Sequence, residues 1–145
     1  MYSPDGPYLS LAVICERVLI EKDDVLSLVR IFDRWIVKGS FLEMPPTLVQ
    51  LALVISLKSG RFRGKTDVLI KPTSPGGKDL PVFQNSIEFG EKSDEQGANV
   101  VTSLAFVAEE EGIYWFDVLL DSLRLTKIPL RLAYEQAEDG SAPGQ

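Results

Sequence analysis

The chain has 145 residues, 45% of them hydrophobic and 25% charged, the length and balance of one soluble globular domain. Its 21 acidic against 15 basic side chains give a net charge of −6 and a pI near 4.7, which argues against double-stranded DNA and an anionic membrane as partners. Histidine is absent and Cys15 is the single cysteine, so Ser-His-Asp and Cys-His catalysis, a closed zinc site and an internal disulfide are excluded.

Residues 1–8 read as a polar N-terminal extension, with no basic stretch ahead of an apolar one and hence no secretory signal. Residues 9–135 read as one domain. The first run, Leu9 to Ile20, is apolar and branched, the composition of a strand, and stops at the polar turn Glu21-Lys22-Asp23-Asp24. Ala12, Val13 and Ile14 beside Cys15 predict a buried, unreactive thiol, which fits a reducing cytoplasm. The segment Leu26 to Val37 is open to two readings. It suits the second strand of a hairpin, yet Val25, Leu28, Val29, Phe32 and Ile36 stand at helical spacing with Asp24 placed as an N-cap.

Pro45-Pro46 sets an extended approach to Val49, Leu51, Leu53, Ile55 and Leu57, whose alternation turns one strand face to a core. The apolar stretch Leu48 to Leu57 is broken by Gln50 and Ser56 and falls short of the ~20 residues that span a bilayer. Ser59-Gly60 predicts a hairpin turn into a return strand, Thr66 to Lys71. Pro72 to Gly77 is turn chemistry, followed by a strand from Leu80 to Phe89, a loop from Gly90 to Asn99 and a strand from Val100 to Ala108. After Glu109-Glu110-Glu111-Gly112, the strand Ile113 to Asp121 puts Tyr114, Phe116, Val118 and Leu120 on one face. Ile128, Leu130, Leu132 and Tyr134 repeat the alternation with Lys127 and Arg131 opposite. Pro129 has no N–H for a ladder, which predicts an edge position for this last strand. Residues 136–145 have nothing to bury and read as a disordered acidic tail, whose Pro143-Gly144-Gln145 end suits threading into another protein's site.

Short strands at about ten-residue spacing, with no internal repeat, predict an all-β, antiparallel β-sandwich of seven to eight strands, immunoglobulin-like or similar. The series Glu110-x-Gly112-x-Tyr114-x-Phe116 resembles the approach to the penultimate strand of immunoglobulin-like domains, with Phe116 where the core cysteine stands. That resemblance implies a hydrogen bond from Tyr114 back to the preceding loop; an inward-facing core tyrosine is the alternative. The order of Cys15-Glu16-Arg17-Val18, Leu26 to Asp33, the strand after Pro45, the Pro72 to Lys78 turn and Gly112-Ile113-Tyr114 is similar to a family of small bacterial proteins of unknown function. A shared plan is all it implies, and it favours the strand reading of residues 26–37.

Ser59 to Thr66 is a near miss to a phosphate-binding loop, with Ser59 at the first glycine position and a strand ended by Pro72 where a helix is required. The same turn gathers Lys58, Arg61, Arg63 and Lys65 around Phe62. Arg61, Phe62, Arg63 and Lys65 are therefore candidates for gripping an acidic partner, against the plainer reading of a solvated turn. Asp23-Asp24, Asp94-Glu95 and Glu109 to Glu111 lack the alternating ligand spacing of a calcium loop. Asp117 and Asp121, beside Trp115 and Leu119, sit on an outward strand face rather than in a demonstrable sugar cleft. Trp35 and Trp115 suit core packing or a contact surface. The chain is thus expected to be a cytoplasmic, non-enzymatic binding or adaptor module with a protein partner and no cofactor. The alternatives are a self-assembling subunit, with homo-oligomers built on strand edges, or a small-ligand or carbohydrate module.

Overall fold

Alternation decides which way each strand faces, and two sheets follow from it. The computed structural model describes residues 5–137 as nine strands: β1 (Tyr8–Ile20), β2 (Leu26–Ile31), β3 (Arg34–Gly39), β4 (Thr47–Lys58), β5 (Gly64–Thr73), β6 (Phe83–Phe89), β7 (Gly97–Ala108), β8 (Gly112–Leu120) and β9 (Leu123–Gln136). They form a four-stranded sheet, β2-β1-β4-β7, and a five-stranded sheet, β3-β9-β8-β5-β6. The fold is the all-β sandwich expected. Val49, Leu51, Leu53, Ile55 and Leu57 of β4 and Val100, Leu104 and Phe106 of β7 supply one inner face. Val68, Ile70, Tyr114, Phe116, Val118, Leu130 and Leu132 supply the other. Phe106 bridges the layers, its ring 5.5 Å from Tyr114 and 6.0 Å from Phe116.

Residues 26–37 are strand, and they divide. β2 pairs with β1, then Phe32 and Asp33 carry the chain across to the other sheet, where β3 runs parallel to β9. This division brings the count to nine. The helical spacing of the apolar residues has a different origin: Arg30 adopts a left-handed backbone, φ +56°, and the β1–β2 pairing skips Glu16 and Arg30. Beyond that irregularity Val18, Leu26 and Leu28 pack on Cys15, Ala52 and Val54, a second apolar cluster behind the four-stranded sheet.

Two placements differ from expectation. β5 is no return strand, because β4 ladders with β1 and β7 while β5 ladders with β6 and β8; residues 59–63 cross between sheets, since both edges of β4 are already paired. Nor does β9 lie at an edge, being flanked by β3 and β8. Pro129 is tolerated because β3 starts pairing only at Arg34↔Arg131, so no ladder bond on that side needs its missing N–H. Smaller shifts occur at element ends. β6 begins at Phe83 and β7 at Gly97, Tyr8 already belongs to β1, and Gln136 closes β9. The tail expected after it falls on residues 138–145, outside those described.

Candidate interaction surfaces

The 59–65 loop is built from inside. Ser59 is fully buried, its N–H donating to Gln96 O at 2.8 Å and its hydroxyl reaching Gly60 O and Ser93 O. The N–H of Arg61 donates to Asp5 O at 2.8 Å, so the N-terminal segment packs on this turn. Arg63 turns inward: Nη1 donates to Gly60 O at 2.7 Å and Phe62 O at 2.8 Å, and Nη2 donates to Asp94 Oδ1 at 2.7 Å. Phe62 packs edge-on against Phe89, centroids 6.3 Å apart. Of the four residues expected to face a partner, only Arg61 and Lys65 are exposed, with Lys58 nearby.

The acidic groups are similarly occupied. Glu110 accepts from Gly76 N–H and Glu111 from Tyr134 N–H. Asp121 holds Thr66 Oγ1 at 2.8 Å and Asp67 N–H at 3.2 Å with its two oxygens, tying the turn after β8 to β5. Asp117 lies in register between Lys71 and Lys127, accepts from Arg124 at 3.4 Å through Oδ2, and keeps Oδ1 buried without a partner among the described residues. Lys127 Nζ stands 4.5 Å over the Trp115 ring. Among the described residues no group of three or more metal-ligating side chains comes together, and no helix is long and apolar enough to cross a membrane.

Tyr114 meets both of its readings. Its ring is 1% exposed in the core, and its hydroxyl donates to Glu110 O at 2.7 Å, the corner bond implied by the immunoglobulin-like motif. Burial pushes the phenol up from its ordinary value, and burial does the same to the Cys15 thiol, which is fully covered.

The open surfaces are the sheet edges, β2 and β7 in one layer and β3 and β6 in the other. An exposed edge invites another strand unless something, commonly a charge, blocks it. β2 carries Arg30, β3 carries Arg34 and Lys38, and β6 carries Glu88. β7 has no charge in 12 residues and, among the described residues, pairs over its whole length with β4 alone. Its outward side chains Val101, Ser103, Ala105 and Val107 are all exposed, and Leu48 lies opposite Val107 in the ladder at 57% exposure. Reading residue by residue missed this surface, although an uncharged stretch this long in a chain one-quarter charged is a signal visible in the sequence.

Residues 10–133 match the profile of DUF6941, a family of unknown function. No curated protein matches the chain. Among solved structures it is similar to an immunoglobulin-like protein from Pseudomonas aeruginosa, at 11% identity and a TM-score of 0.41, over 90% of this chain and 99% of that one.

Proposed function

The chain belongs to DUF6941, a family of unknown function, and from its surfaces we propose that it is a non-enzymatic adaptor that binds another protein by adding that protein's strand to the β7 edge. One observation carries this reading: β7 is an uncharged 12-residue edge among three edges that each bear charge. Strand addition supplies main-chain hydrogen bonds, and the exposed Val101, Ala105 and Val107 give the incoming strand an apolar row to cover. The buried Cys15 thiol suits work in the reducing cytoplasm.

The test is the double substitution Val101→Lys and Ala105→Lys, which places edge charges without touching the core. Tagged wild-type chain should retain a stoichiometric partner that the variant loses, with circular dichroism unchanged. Equal recovery of that partner by the variant removes β7 from the reading.

A second reading, self-assembly, draws on the same neutrality, because an antiparallel β7 pair about a two-fold axis brings no like charges together. Mass that rises with protein concentration in the wild type and not in the variant selects it.

A further inference from the structure

A second edge has the opposite character. β3 pairs in parallel with β9 on one side and, among the described residues, has no strand on the other. The register sets Arg34 beside Arg131 and Lys38 beside Glu135 on the solvent side of the sheet. Arg34 and Arg131 make no ion pair or side-chain hydrogen bond among the described residues. Two adjacent guanidiniums repel, and an anionic group beside them relieves that repulsion.

The other side of β3 is apolar. Trp35 alternates inward and packs obliquely on Phe32, ring centroids 5.3 Å apart, and neither residue is fully covered. The two rings line a cleft of about 350 Å³ together with Glu16, Arg30, Arg34 and Ile36. Glu16 is already engaged, at 3.3 Å from Arg30. The remaining nearby carboxylates are Asp33, next to Arg34 in the chain, and Glu135, beside Lys38.

We propose that the open edge of β3 receives an extended acidic segment of another protein as a sixth strand, its carboxylates over Arg34 and Lys38 and its intervening apolar side chains in the Phe32–Trp35 cleft. Successive residues of a strand point to opposite faces, so one peptide meets both halves of the site when acidic and apolar residues alternate. Arg131, behind Arg34, strengthens the local potential. This site is separate from β7 and stands or falls without it.

The probe is a short labelled peptide alternating glutamate and valine, followed by fluorescence anisotropy at about physiological ionic strength, where exposed charges are partly screened. Its counterpart alternates lysine and valine. The wild-type chain should bind the glutamate peptide at least about tenfold more tightly than the lysine peptide, and the Arg34→Glu/Lys38→Glu variant should reverse that preference. Circular dichroism unchanged from the wild type shows that the variant is folded. The Val101→Lys/Ala105→Lys protein should bind the glutamate peptide like the wild type, which separates this site from the β7 reading. No binding of the glutamate peptide, equal binding of both peptides, or a preference that survives the charge reversal overturns the proposal. So does tighter binding of a single-stranded oligothymidylate, which would make the edge a phosphate-binding surface.

Discussion

Replacing Arg63 by alanine separates a structural tie from a partner contact. The guanidinium donates to two loop carbonyls at 2.7 and 2.8 Å and to Asp94 at 2.7 Å. Its side chain is 22% exposed while that of Asp94 is 64% exposed, so the ion pair is screened and adds at most about 1 kcal/mol. Hydrogen bonds to charged groups contribute about 1.5–3 kcal/mol when removed, though water re-satisfies carbonyls at a loop surface. A total near 2 kcal/mol follows for Arg63→Ala, which at this chain length lowers the melting temperature by about 4–8 °C. Arg61→Ala, which trims an exposed side chain and leaves the backbone bond to Asp5 in place, should stay within about 0.5 kcal/mol of wild type. Urea unfolding of both variants, read as the midpoint at constant slope, makes the comparison. If Arg63→Ala proves as neutral as Arg61→Ala, the inward guanidinium is not holding the loop and the argument fails.

Tyr114→Phe removes only the hydroxyl bond to Glu110 O and should cost about 1 kcal/mol in the same unfolding assay, with the core otherwise intact. Gly112 sits at φ +131°, and an added Cβ would come within 2.7 Å of Pro75 Cβ, so Gly112→Ala should destabilise by about 1–3 kcal/mol. Cys15 should resist thiol reagents in the native chain and react at once after unfolding in urea. Because burial raises its pKa, the folded chain keeps a proton that the unfolded chain gives up. Stability should therefore fall as the pH rises past the ordinary thiol value, by less in Cys15→Ala than in wild type.

How far the sequence reaches depends on whether a residue's fate is decided by its neighbours or by a distant strand. Val49 to Leu57 and Tyr114 to Leu120 were legible because alternation alone assigns their faces. The division of residues 26–37 was not, because it turns on the left-handed backbone at Arg30 and on the change of sheet at Phe32, neither of which has a side-chain signature. Pro129 pointed to an edge through a correct rule, yet the edge is local: β3 covers only the far end of β9. Likewise the basic turn was visible as composition, while Arg63 is turned inward by local carbonyls of Gly60 and Phe62 together with Asp94, a partner from a distant loop. The family of unknown function was legible as an order of motifs, all of which lie within the matched residues 10–133.

The parallel pairing of β3 with β9 ties the third strand to the ninth, with β4 to β8 made between them. On a ribosome, β3 emerges before its partner and waits for it, its β9-facing side unpaired until residues 131–136 have been made. Closure of the five-stranded sheet is therefore a late, non-local event. Chains cut short before Leu123 lack β9 and should accumulate as open sheets with β3 and the outer side of β8 unpaired, the species most prone to associate, while the β1–β2 and β1–β4 ladders can already have formed.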